Sequence, residues 1–146
     1  MQTPAATELT DLRPMLTEAL GTLFAPWVTE LNLQVVHAAP GEVQLALPVA
    51  PRHVHGGGVV CGQSLMAAAD TAMVLAVMTR LGGFKPMTTV QLQTSFLRTV
   101  PGGHGGTVGL TARVLRMGRN LVFGEVHLHS PDGALAAHTT TTYALL

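Results

Sequence analysis

Charge is scarce in this sequence of 146 residues: Asp, Glu, Lys and Arg together make up 11% of it, against about a quarter in an ordinary soluble domain. Hydrophobic residues make up 47%, so a monomer would expose much apolar surface, and a homo-oligomer, a dimer or a dimer of dimers, is expected to cover it. Eight basic and eight acidic residues cancel, which leaves no broad positive field of the kind that nucleic acid or an anionic membrane would require. Neither is expected as a partner. A single cysteine, Cys61, excludes an internal disulfide. The opening MQTPAATELTDL has neither the basic start nor the apolar run of a secretory signal, so a cytoplasmic location is expected. The longest apolar tract, Leu65 to Val77, is interrupted by Asp70 and is shorter than the roughly 20 residues that cross a bilayer. It reads as a buried helix.

A chain of this length fits one domain, residues 1–146, with a single core. Leu9, Leu12, Leu16, Leu20 and Leu23 recur at three- and four-residue spacing and predict an amphipathic helix from Thr7 to Leu23, capped by Thr7 or Thr10. Gly21 and Pro26 end it, and Trp27 to Leu31 add a further turn. Leu33 to Ala38 and Glu42 to Val49 alternate like strands around Pro40-Gly41 and predict a hairpin.

After the loop Pro51 to Gly58, the run Cys61 to Leu81 contains no proline and has Gly82-Gly83 as its stop, which predicts a helix opening near Gly62. It is apolar nearly all round, so a sheet should wrap it. Met87 to Val100, Thr107 to Met117, Leu121 to Ser130 and Ala134 to Leu145 are strand-like. The short turns between them predict that consecutive strands are antiparallel neighbours. The sum is one curved sheet around one helix.

Asp70 is the only carboxylate between Glu42 and Glu125, and it stands in the least polar stretch of the chain. Burying a carboxylate there costs several kcal/mol unless it is bonded, paired or protonated, so it serves either as a structural hydrogen-bonding group or in chemistry. Gly62 lies eight residues earlier, at the predicted helix start, where backbone N–H groups without intrahelical partners suit a developing oxyanion or simply begin the helix. Eight residues of helix span about 12 Å, too far for both groups of one chain to serve one carbonyl. If both act, they come from different subunits.

The segment HVHGGGVVCGQSLMAAADTAMVLAV resembles the helix-opening motif of hotdog thioesterases of the phenylacetate-pathway type, and the resemblance extends through TTVQLQTSFLRTVPGG and GRNLVFGEVHLHSPDGALAAHTTTTYAL. It implies an α+β hotdog fold, a curved antiparallel sheet wrapped around a long central helix, with an N-terminal helix before it. In that family a glycine opens the helix, an Asp or Glu stands eight residues on, and an Asn or Gln precedes the glycine by seven. Gly62, Asp70 and His55 occupy those positions, and Thr89 matches the Ser or Thr that assists the attacking water. Two departures stand out. Cys61-Gly62-Gln63 replaces the usual His-Gly-Gly, and the imidazole of His55 replaces an amide.

The resemblance implies hydrolysis of an acyl-coenzyme A thioester at sites shared between subunits, with no cofactor and no metal. The carbonyl would be polarised by the Gly62 N–H and His55 of one subunit, and Asp70 of the other would act as base or nucleophile. Gln63, Met66 and Met73, with Leu65, would line a medium-chain or aromatic acyl group, and Arg116 and Arg119, near Arg113, would hold the coenzyme A phosphates. A hotdog dehydratase or hydratase using His55 and Asp70, and a non-catalytic acyl-CoA binding module, are the alternatives. Cys61 is read as a small packing residue and not a nucleophile. His53/His55 and His127/His129 have metal-like His-x-His spacing but no third ligand nearby in sequence, so a polar strand face is the preferred reading of the second pair.

Overall fold

The structure, a computed structural model, describes residues 11–146. Thr7, Leu9 and Thr10 lie outside the described residues. Helix α1 (Arg13–Thr22) opens with Leu12 at its N-cap and not at a threonine. Pro14 sits in its first turn, where a missing N–H costs nothing, and the Asp11 carboxylate accepts the Arg13 N–H at 3.0 Å. Leu16 and Ala19 reach the core, whereas Leu23 lies past the helix end and is exposed. The further turn is α2 (Pro26–Thr29).

The hairpin forms from β1 (Gln34–Ala39) and β2 (Glu42–Pro48). Gly41 turns it with φ +81°, a left-handed conformation that favours glycine, and its N–H donates to the buried Thr79 hydroxyl at 2.8 Å. That bond pins the hairpin to α3 (Gly62–Leu81), which ends on Gly82 at φ +77°. With 20 residues, α3 is long and apolar enough to cross a membrane, contrary to the reading from the shorter tract, but its core residues are packed under the sheet.

The remaining strands are β3 (Met87–Phe96), β4 (Thr107–Met117), β5 (Leu121–His129) and β6 (Leu135–Leu145). All pairings are antiparallel, in the order β1-β2-β4-β5-β6-β3. One expectation fails here: β3 does not pair with β4, its neighbour in sequence, but with β6. The six residues Pro101 to Gly106 do not form a hairpin turn, because the backbone at Val100 and Gly102 is taken up by Val60 and Gly58. As a result β3 is an edge strand.

Alternation places Val43, Leu45, Leu47, Val108, Leu110, Ala112, Val126 and Leu128 on the inner face, all buried against α3. The helix is not wrapped all round. Gln63, Met66, Ala67, Asp70 and Val74, spaced by three and four, form a stripe that the sheet of the same chain leaves uncovered.

Candidate active site

Asp70 is on that stripe, in the second turn of α3 beyond its opening, and two strands hold its carboxylate. Thr89 on β3 donates its hydroxyl to Asp70 Oδ1 at 3.1 Å, and the Tyr143 hydroxyl on β6 donates to the same oxygen while lying 3.0 Å from the Asp70 carbonyl. The register explains the convergence, since Thr89 and Tyr143 are directly paired and both point inward. Asp70 Oδ2 makes no hydrogen bond among the described residues, which leaves it available to a water or a substrate.

Tyr143 is buried, and its phenol is pushed well above the ordinary range, first by burial and then by the negative charge of Asp70. It therefore stays a proton-bearing donor. Sequence reasoning missed it. The available signal was that the only tyrosine of the chain falls in phase with Ala137, Thr139 and Thr141 on the inward side of the last strand, where a buried hydroxyl needs a partner.

At the helix start the material is different. Gly62 approaches Phe96 so closely that a Cβ would lie 3.0 Å from the ring, so a side chain there would push the Phe96 ring aside by a few tenths of an ångström. Together with Val59, Leu65, Leu97 and Arg98, these two line an open cleft of about 360 Å³. Arg98 brings a guanidinium to the cleft that the sequence did not single out. The first N–H groups of α3 open toward this end without intrahelical acceptors.

His55 sits on a loop fixed by backbone bonds. Its N–H donates to the Val59 carbonyl at 3.1 Å, Val54 bridges Val60, and the Gly102 N–H donates to Gly58 at 3.0 Å. Gly102 is required there, because a Cβ would fall 2.4 Å from a Val54 methyl. The Gly57 N–H donates to His55 Nδ1 at 2.8 Å, so a neutral His55 carries its proton on Nε2 and offers that N–H to a ligand.

The structure thus brings Asp70 and Thr89 together, with Tyr143, and sets Gly62 and His55 at the other end. The continuous helix keeps the two groups about 12 Å apart in one chain.

Other expectations are redistributed. Met66 lies on the open stripe and Gln63 is exposed beside a cavity of about 270 Å³ that also touches His53. Met73 cannot line a ligand pocket in this chain: it is fully buried, and its sulfur occupies the space where Gly124 would carry a Cβ. Arg116 pairs with Phe123 on the outer face of the sheet, away from Asp70, and Arg113 is 3.5 Å from Glu42. Arg119 is exposed in the β4–β5 turn, whose Asn120 carbonyl accepts the Leu145 N–H two residues from Tyr143.

Cys61 Sγ lies 3.1 Å from the Ser64 hydroxyl, its only hydrogen-bonding contact among the described residues. His53 and His55 do not share a face, because Pro51–His53 is a 3₁₀ turn and not extended chain. His53 is buried, with its ring nitrogen accepting the Ala50 N–H at 3.4 Å and its proton affinity lowered chiefly by that burial.

A sheet of this order curved over one long helix defines the hotdog fold. Residues 53–137, more than half of the chain, match the family described as thioesterase superfamily. The chain belongs to the thioesterase superfamily, as a hotdog thioesterase of the PaaI type. A solved mutant of phenylacetic acid degradation protein PaaI from Thermus thermophilus is 30% identical, with a TM-score of 0.74 over 84% of this chain and 100% of that one. Zebra fish thioesterase superfamily member 2 is 26% identical, with a TM-score of 0.78 over 92% of this chain and 96% of that one. A Thermoplasma volcanium protein named "Putative esterase" is 28% identical over 72% of this chain and 76% of its own length.

Proposed function

We propose that this thioesterase hydrolyses medium-chain or aromatic acyl-coenzyme A esters at sites shared between two protomers. The observation that carries the reading is the Asp70 carboxylate, fixed through Oδ1 by Thr89 and Tyr143 and free at Oδ2 on the uncovered stripe of α3.

The missing half of each site comes from a second copy. Strand β3 is an open edge with exposed apolar residues Val90 and Phe96, followed by the exposed Leu97, the kind of edge that pairs with another strand. Two-fold pairing there sets the α3 helices antiparallel, so that Asp70 of one chain meets the Gly62 and His55 end of the other. The Gly62 N–H and His55 Nε2–H polarise the thioester carbonyl. Asp70 Oδ2 takes a proton from water as the oxygen–carbon bond forms. The carbon–sulfur bond then breaks, and the proton passes to the departing coenzyme A thiolate. The cleft residues Leu65, Phe96 and Leu97 offer the acyl group an apolar wall, and Arg98 in the cleft and the exposed Arg119 would bind the coenzyme A phosphates.

A free-thiol assay over a panel of acyl-CoA esters tests the reading. Release of coenzyme A from medium-chain or aromatic esters is expected. Binding without release, or hydration of the acyl part with the thioester intact, would overturn it.

A further inference from the structure

On the opposite side of the sheet from Asp70, β5 directs Glu125 and His127 outward, while Val126 and Leu128 point into the core. His127 is paired in register with His138 on β6, and the two rings lie 4.9 Å apart at 44°. His138 Nε2 is 3.0 Å from Glu125 Oε2. One ligating atom from each of Glu125, His127 and His138 lies within 4.8 Å of the others. The pair suggested by the His127/His129 spacing does not form: His138 from the next strand takes the place of His129, and Glu125 completes the set.

We propose that Glu125, His127 and His138 bind one divalent transition-metal ion of the zinc class on the outer face of the sheet. The donor set decides the class. Two imidazoles and one carboxylate are borderline donors that favour zinc, cobalt, nickel or copper, whereas calcium and magnesium require more oxygens.

The geometry needs only side-chain motion. Ligands about 2.0–2.1 Å from a tetrahedral ion stand about 3.3 Å apart, so the side chains close in slightly on a backbone already fixed by the β5–β6 ladder. All three residues are half-buried, which leaves the ion a path from solvent and at least one position for water. Glu125 is charged at neutral pH, held below the usual carboxylate range first by its bond to His138. The opposing cation on β4, Arg113, faces Glu125 in register but leans toward Glu42, at 3.5 Å. On the other neighbouring strand positions only Thr111, Thr140 and Ser95 stand opposite these residues, none of them charged.

An ion here clips β5 to β6 and stabilises the fold by linkage. Because each ligating imidazole nitrogen must be unprotonated, protons compete with the ion for the site.

The test uses untagged, chelator-treated protein titrated with zinc chloride by calorimetry, and with cobalt chloride by visible absorption. One ion per chain is expected, with a dissociation constant on the order of micromolar or tighter and a rise in melting temperature. His127→Ala and His138→Ala should each weaken it at least about tenfold, while His129→Ala and Cys61→Ala leave it intact. Where an alanine variant fails to fold, the corresponding glutamine variant takes its place, with metal-free circular dichroism as the control. No binding at about millimolar zinc, or binding that survives either histidine change, overturns the site. Neither result bears on thioester hydrolysis, whose residues are on the other face.

Discussion

The two ends of the active stretch of α3 are built from different material. At Asp70 a carboxylate is gripped by side chains of two paired strands, β3 and β6. At Gly62 and His55 the donors are a helix N-terminus and an imidazole on a loop whose shape is set by backbone hydrogen bonds. The Asp70 carboxylate is thus gripped by paired strands, whereas Gly62 and His55 belong to a helix opening and a loop in which Gly58 has φ +80° and Gly102 leaves no room for a side chain. The α3 helix keeps Asp70 and the Gly62 end about 12 Å apart within one protomer.

The comparison breaks most severely at Asp70. Asp70→Asn retains size and hydrogen bonding but loses the base, so steady-state turnover should fall at least about a hundredfold with the fold intact. A folded variant with near-normal turnover would remove the centre of the proposal. The separation of the halves is measured by mixing Asp70→Asn with His55→Ala subunits. After exchange, one site of each heterodimer carries both changes and the other carries neither, so about half the wild-type activity should return. Verified exchange without recovery would place Asp70 and His55 in one site of one chain.

Tyr143→Phe sharpens the rigid end. It removes one of two donors to Oδ1, so kcat should drop about tenfold with KM little changed, the pattern of a positioning residue. The same side chain predicts a pH response. Its phenol is raised in the folded state, so its contribution to stability is complete below the unfolded tyrosine value of 10.0 and is lost as pH rises beyond it. As the only tyrosine, it makes ultraviolet titration specific: tyrosinate absorbance should appear together with alkaline unfolding and not before it.

Smaller effects are expected at Arg98 by the helix opening, at Arg119 in the β4–β5 turn and at Cys61. Arg98→Ala and Arg119→Ala should raise KM for acyl-CoA several-fold and leave kcat nearly unchanged, and an acyl-pantetheine substrate should be insensitive to both. Equal losses on both substrates would make these arginines structural. Cys61→Ala should keep activity within about threefold, since the only hydrogen-bonding contact of its thiol among the described residues is Ser64. Abolished activity in a folded protein would make the thiol part of the chemistry.

Local physics in the sequence determined a good deal. The span of α3, its glycine stop, the β1–β2 turn and the limits of β4 follow from propensity, periodicity and turn chemistry, which act over a few residues. Asp70 was conspicuous because a carboxylate in an apolar helix demands an explanation. Only the tertiary structure decided that β3 pairs with β6, because the pairing depends on where the segment Val100 to Gly102 is bonded and not on the length of the turn after β3. That one choice joins Thr89 to Tyr143 beneath Asp70 and leaves β3 at the edge of the sheet. It is also tertiary packing that withdraws Met73 into the core against Gly124, a residue far from it in sequence. Contacts of that kind are set by the closure of the whole sheet over the helix, which no short window of the chain contains.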